Sequence, residues 1–240
     1  SEVAFSFETG RLSLAPTQAQ TELPSRRQPP AQARLFSANS SGYANIMATI
    51  NRLDGIKVAI LVENMFEQVE MTEPRKALDK AGAQTVLVSP QPEHVQAVNH
   101  DEKGERFKVD LPLDKANPEK FDALLLPGGV ANPDRLRINE KAMRFVRSFV
   151  DTDKPIAAIC HAPWELVEVD AVRGKRVTSW PSLRTDIRNA GGLWVDEVNV
   201  TDENITTSRK PEDIPKFNEA MLHLFEEART RGEARQKTHA

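Results

Sequence analysis

KPIAAICHAPWEL (residues 154–166) joins two residue periods that cannot belong to one element. Its first half, PIAAI (155–159), is a short apolar run opened by a proline, the pattern of a strand covered by helices on both faces. Its second half, continuing as HAPWELVEV (161–169), places Pro163 where the first turn of a helix tolerates a missing N–H. The chain must therefore pass from strand to helix at Cys160 and His161. Ala158 and Ala162 flank that turn, two residues to either side of the cysteine, and a tight strand-to-helix elbow needs small residues there because larger ones collide.

The same kind of run recurs upstream. KVAILV (57–62), TVLVS (85–89) and ALLLP (123–127) have strand length and are bounded by Gly, Pro or Asn. Helical patterns alternate with them, which predicts an α/β fold around a mainly parallel central sheet. TEPRKALDKAGA (72–83) predicts a helix with Thr72 as N-cap, Pro74 in its first turn and Gly82 as its stop. NEKAMRFVRSFVD (139–151) sets Met143, Phe145, Val146 and Phe149 on one helical face, and DIPKFNEAMLHLFEEA (213–228) spaces Ile214, Phe217, Met221, Leu222 and Phe225 likewise. VQAVNHDEKGERFKVD (95–110) reads as an edge hairpin turning over Asp101–Gly104.

Residues 1–46, rich in Ser, Gln, Ala and Pro, have neither period and are expected to form a disordered extension, with Met47 just before the ordered part. One α/β domain over 56–228 and a flexible tail over 229–240 complete the expected organisation. At 240 residues the chain can bury a core without a disulfide or metal staple. Its single cysteine permits neither an internal disulfide nor a cysteine zinc cluster, which points to a reducing compartment, the cytoplasm. The net charge of −3, with acids and bases interspersed, offers no basic footprint for nucleic acid and no polybasic patch for a membrane. Small molecules or proteins are the expected partners; no metal or cofactor is expected.

In open α/β sheets, functional groups gather at the carboxyl ends of the strands. Three such ends carry unusual residues: Glu63, Glu67 and Glu70 after KVAILV, Gly128 and Gly129 after ALLLP, and Cys160-His161 after PIAAI. A buried free cysteine is commonly a small apolar filler. At an elbow opening a helix it is instead expected to be an activated thiol, its pKa lowered by the helix N-terminus. His161 reaches that sulfur only if the elbow backbone departs from helical geometry. Two successive glycines are often only a turn, but they also let consecutive N–H groups converge as an oxyanion hole. Most carboxylates at such positions are simply solvated. One held against a reactive sulfur would instead be a protonated donor at neutral pH.

Five blocks resemble the PfpI family of intracellular proteases and deglycases, within the class I glutamine amidotransferase-like superfamily. They are FEQVEMTEP (66–74), FDALLLPGG (121–129) followed by PDRLR (133–137), KPIAAICHAP (154–163), RGKRVTSWPSLRTDIRNAGG (173–192) and TSRKPEDIPKF (207–217), in the family's order and spacing. The resemblance covers about residues 56–228 and implies a flavodoxin-like three-layer sandwich. It implies Cys160 as nucleophile, His161 as its base and Asp134 as the acid that orients the histidine, supplied by a neighbouring subunit. It further implies that Glu70 hydrogen-bonds the cysteine with Glu67 nearby, that the amides of Gly128 and Gly129 form the oxyanion hole, and that Trp180 lines the pocket where archaeal protease-like members place a tyrosine. Here the loop GGVANPDRLR is one residue longer than in those members, and an aspartate replaces their glutamate.

The expected activity is that of a cysteine hydrolase in stress protection, working as a homodimer or higher oligomer. Its substrate is a methylglyoxal- or glyoxal-derived adduct, or else a peptide bond, and the adduct suits a thiol with no strongly shaped peptide pocket in the sequence. The competing expectation is a cysteine-oxidation stress sensor without substrate turnover, in which a protonated Glu70 stabilises a sulfinate. A histidine directly after the cysteine counts against it.

Overall fold

Alternate residues of the first apolar run point into different layers. In β1 (Lys57–Leu61), Val58 and Ile60 join one buried cluster while Ala59 and Leu61 join another, so both faces of the strand are covered. The computed structural model describes residues 52–238, and side chains through residue 231; the expected extension over 1–46 lies outside the described residues.

Downstream of β1, the short β2 (Phe66–Glu67) leads into helix α1 (Gln68–Lys80), followed by β3 (Gln84–Ser89). A hairpin of β4 (His94–Asn99) and β5 (Glu102–Lys108) precedes β6 (Leu111–Pro112) and β7 (Ala123–Leu126). Helices α2 (Ala131–Arg137) and α3 (Glu140–Asp151) lead to β8 (Ile156–Ile159) and α4 (Pro163–Glu168). Then come β9 (Arg176–Val177), α5 (Arg184–Asn189), β10 (Leu193–Trp194), β11 (Asn199–Asp202), β12 (Ile205–Ser208) and α6 (Ile214–Thr238).

The central sheet has seven strands in the order β11-β12-β8-β7-β1-β3-β6. Every pairing in it is parallel except β11 with β12. One layer packs Met71 and Leu78 of α1 with Phe217, Met221 and Phe225 of α6. The other packs Ala142, Phe145, Val146 and Phe149 of α3 with Leu166 of α4 and Ile187 of α5. This is the flavodoxin-like three-layer sandwich. The sheet runs outward in both directions from β1, to β3 on one side and β7 on the other, and such a reversal opens a crevice at the carboxyl ends of the strands.

Several boundaries differ from those expected. Helix α1 begins at Gln68, four residues before Thr72, because the buried pair in β2 delivers the chain directly into it; Pro74 therefore lies inside the helix. Lacking an N–H, Pro74 leaves the Glu70 carbonyl without its donor one turn on. The hairpin turns at His100 and Asp101, since Asn99 faces Glu102. Gly104 sits within β5, where a Cβ would meet Gln68 Oε1 at 2.5 Å and Ala97 backbone at 3.1 Å. Nor does the hairpin extend the central sheet: β4 pairs with β2, forming a separate three-stranded sheet over the pocket side, and β6 occupies the edge. Helix α6 continues to Thr238, past residue 228 where the domain was expected to end. No described helix is long and apolar enough to cross a membrane.

Glu165 in α4 is fully buried, and neither of its carboxyl oxygens has a hydrogen-bond partner among the described residues. Burial pushes its pKa well above the ordinary carboxylate value. Folding then takes up a proton that the unfolded chain releases, so stability is highest below the unfolded pKa and falls as pH rises toward the folded one. The slope between the two is about 1.4 kcal/mol per pH unit. Glu165→Leu is expected to raise the urea midpoint, by more at pH 8 than at pH 5. Equal shifts at the two pH values would show that Glu165 does not titrate on folding.

Candidate active site

Cys160 follows β8 directly and has φ of 65°, in the left-handed region that costs a non-glycine residue roughly 1 kcal/mol or more. Two backbone bonds hold it there: its N–H donates to Ser208 O at 3.1 Å, and its carbonyl accepts from Trp180 N–H at 2.8 Å. The condition set by the sequence is thereby met. The bent elbow brings Nδ1 of His161 to 3.2 Å from Sγ of the residue before it. Ala158 and Ala162, both fully buried, leave room for the bend.

The imidazole is nearly enclosed. Trp180 stacks on it at 5.8 Å and 25°, Trp164 packs at 5.3 Å and 54°, and Nε2 lies 3.3 Å from Ser182 Oγ. Burial lowers the His161 pKa to about 4, so the ring is neutral at physiological pH.

Glu70, in the first turn of α1, is fully buried, and its Oε2 accepts the Gly128 N–H at 3.0 Å. Burial above all, with the nearby Glu67 charge adding to it, raises its pKa to about 8, against the pull of Cys160 and the Gly128 and Gly129 amides. A pKa of about 8 keeps Glu70 mainly protonated at neutral pH.

The thiol runs against expectation. Burial above all pushes the Cys160 pKa well above its ordinary value, and ionisation of Glu70 would add to this, although the amides of Gly129 and His161 pull the other way. The cause is structural: α4 has only six residues, so its dipole is weak, while the elbow is almost wholly buried at the foot of the pocket. At rest the site therefore holds a thiol, a neutral imidazole and a protonated carboxyl.

Both glycines are required by their surroundings. At Gly128 a Cβ would fall 2.6 Å from Glu70 Oε2 and 2.7 Å from the Cβ of Cys160; at Gly129, with φ of 81°, it would meet backbone atoms of Glu67 and Met65 at 2.8 Å. The Gly128 N–H is occupied by Glu70. The amides that face the sulfur are those of Gly129 and His161, the second of which the sequence did not single out.

Asn132 was also missed. Fully buried, its Oδ1 accepts the Glu63 N–H at 2.6 Å, while its Nδ2 donates to Pro127 O at 2.8 Å and Gly128 O at 3.1 Å. It fixes the glycine loop against the end of β1.

The remaining expected residues separate. Glu67 lines the pocket and accepts the His100 N–H at 2.9 Å. Glu63 is turned aside, accepting from the Asn64 N–H and Gln91 Nε2 at 2.8 Å each. Asp134 is exposed on α2, outside the pocket lining, and within this chain none of the described contacts of His161 involves it. Cys160, His161, Glu70, Glu67, Gly129 and Trp180 converge on one pocket of about 620 Å³. Among the described residues no cluster of three or more His, Cys, Asp or Glu side chains is placed to hold a metal ion.

The sequence profile of the DJ-1/PfpI family matches residues 56–224. The chain is 42% identical over 170 residues to Deglycase PH1704 of Pyrococcus horikoshii, an overlap covering 71% of this chain and 99% of the relative. It is 39% identical over 173 residues to General stress protein 18 of Bacillus subtilis, covering 72% and 99% respectively. Among solved structures, the crystal structure of Drosophila melanogaster DJ-1beta superposes with a TM-score of 0.64 at 25% identity, covering 72% of this chain and 95% of that one.

Proposed function

This chain belongs to the DJ-1/PfpI family, and we propose that within it the protein is a cysteine-nucleophile hydrolase acting on methylglyoxal- or glyoxal-derived adducts of amino groups. One observation carries this: a sulfur on a left-handed elbow with its neighbour's Nδ1 at 3.2 Å, facing a pocket. As substrate binds, the Cys160 sulfur adds to an electrophilic carbonyl carbon and the thiol proton passes to Nδ1 of His161. The carbonyl electron pair moves to oxygen, beside the amides of Gly129 and His161. Protonated Glu70 donates toward the sulfur rather than opposing it. The amine leaves the carbinol carbon with the electron pair of the broken C–N bond and the carbinol hydroxyl proton, which exposes the aldehyde carbon to which the sulfur adds, and the imidazolium gives its proton to the resulting oxyanion. A proton shift from that carbon to the neighbouring ketone carbon turns the hemithioacetal into a thioester without an external oxidant, and water hydrolyses it to the hydroxy acid and the free thiol. A small electrophile suits a site whose thiol is not ionised at rest, because aldehyde-derived carbonyls are more reactive than amides. The names of the deglycase and general-stress relatives point the same way, toward stress protection.

The test compares purified wild-type protein with Cys160→Ser, measuring lactate from methylglyoxal, amine release from a methylglyoxal-treated amino acid, and cleavage of fluorogenic peptides. Cysteine-dependent lactate or amine release is expected. Peptide cleavage without either would transfer the assignment to a peptidase.

We also propose assembly as a homodimer or larger oligomer. Asp134 and the apolar Val130 and Ile138, which are 59% and 81% exposed, lie on and around α2 beside the pocket rim. A second copy docking there would bring its Asp134 toward His161. The protonated Glu70 facing the sulfur also favours a second reading, a sensor whose Cys160 is oxidised by peroxide to a sulfinate. A peroxide response that persists in His161→Ala while no substrate is turned over would select the sensor.

A further inference from the structure

We infer that Ser182 is a positioning residue for the dyad: its hydroxyl holds Nε2 of His161 within one chain and so turns the lone pair of Nδ1 toward the sulfur of Cys160. This rests on the dyad having the role proposed above and adds a residue to it.

Among the described residues the imidazole touches two polar atoms, one at each nitrogen: Cys160 Sγ at 3.2 Å from Nδ1 and Ser182 Oγ at 3.3 Å from Nε2. A neutral imidazole has one N–H and one lone pair, and the partner of one nitrogen decides which stands at the other. With the Cys160 thiol donating to Nδ1, the proton of the neutral ring stands at Nε2, and the Ser182 hydroxyl, able to accept it, stabilises that tautomer and its orientation. Once Nδ1 is protonated, the same hydroxyl continues to accept from Nε2.

Ser182 itself is exposed, and its neighbours on both sides hold its backbone in place. It lies in the turn Pro181–Leu183, whose preceding residue Trp180 donates its N–H to the Cys160 carbonyl at 2.8 Å and stacks its ring on the imidazole. On the other side Leu183 is fully buried and donates its N–H to Trp180 O at 3.1 Å. The turn is therefore tied to the elbow, and the hydroxyl meets Nε2 without a second subunit. Among the described residues Asp134 has no such tie to His161.

The single cysteine gives a readout that needs no turnover. Alkylation of Cys160 by iodoacetamide, followed across pH by mass spectrometry, reports how readily the thiol proton leaves. The other titratable groups around the pocket are Glu67 and Glu70 from β2 and α1, His100 and Asp101 at the hairpin turn, and Lys210 and Glu212 before α6; all remain in every variant. Ser182→Ala is expected to slow alkylation near neutral pH by roughly threefold to tenfold, the worth of one neutral hydrogen bond, and to move the rise to higher pH. The same factor should appear in kcat with little change in KM. Ser182→Thr should restore both, and Ser182→Asp, by favouring the imidazolium, should make alkylation faster than wild type at neutral pH. In a His161→Ala background, Ser182→Ala should have no further effect.

A wild-type alkylation profile in Ser182→Ala overturns the inference, as does an undiminished effect in the His161→Ala background. If Asp134→Asn shifts the profile and Ser182→Ala does not, the role passes to a carboxylate from a second copy. Because alkylation requires no substrate, a failure of the proposed hydrolase activity leaves these outcomes readable.

Discussion

Replacing His161 with glutamine is expected to lower kcat/KM by about 10²–10⁴-fold at neutral pH, the usual contribution of a positioned general base. The resting state calls for such a base. Because burial holds the Cys160 thiol above its ordinary pKa, almost no thiolate forms without an acceptor for its proton, and Nδ1 at 3.2 Å is that acceptor. Burial also lowers the imidazole pKa to about 4, so the ring is unprotonated throughout the neutral range, though as a weaker base than a free imidazole. Glutamine retains much of the bulk between Trp164 and Trp180, which keeps the loss chemical rather than structural. The deficit should narrow as pH rises, because hydroxide then ionises the thiol with no help from a base. Steady-state kinetics of wild type and His161→Gln from neutral to alkaline pH test this. A deficit that stays constant across that range would mean that His161 does not relay the thiol proton.

What the sequence revealed, and what it withheld, follows from how far apart the cooperating residues lie. The runs at 57–62, 85–89, 123–127 and 155–159 each became a central strand, because a strand buried on both faces must be apolar throughout. Two-residue strands such as β2 and β6 are too short to carry a period, which is why the start of α1 and the true edge of the sheet were not visible. The elbow was legible because its requirement is local: a cysteine, a histidine and small flanks in adjacent positions. Asn132 and Ser182 were not, since each acquires its role from a partner distant in the chain. Asn132 meets Glu63 across 69 positions, and Ser182 meets His161 across 21. The direction of the thiol shift was misjudged for a related reason. A proline before an apolar stretch announces a helix start, but that α4 ends after six residues and that the elbow is almost wholly buried are properties of the packed molecule.

Glu70→Gln should separate the two tasks of the buried acid, with opposite consequences for stability and for the pH profile. The folded pKa of Glu70 is about 8 against an ordinary 4.5, so the folded protein binds a proton that the unfolded chain has released above pH 4.5. The stability this group contributes is complete below pH 4.5 and is lost as pH rises to about 8, a cost of about 3 kcal/mol at pH 7 at 1.4 kcal/mol per unit. Glutamine has no such titration, its Oε can accept the Gly128 N–H in place of Oε2, and its amide N–H can point toward the sulfur where the acid carries its proton. The variant should therefore unfold at higher urea than wild type at pH 7 and at nearly the same urea at pH 4.5. In catalysis, wild-type activity should decline above about pH 8, where an ionised Glu70 stands beside a sulfur that must itself become negative. Glu70→Gln should lose that alkaline limb and keep the requirement for neutral His161. If the limb persists in the variant, the group responsible is not Glu70, and the carboxyl is then a structural partner of the glycine loop rather than a donor to the nucleophile.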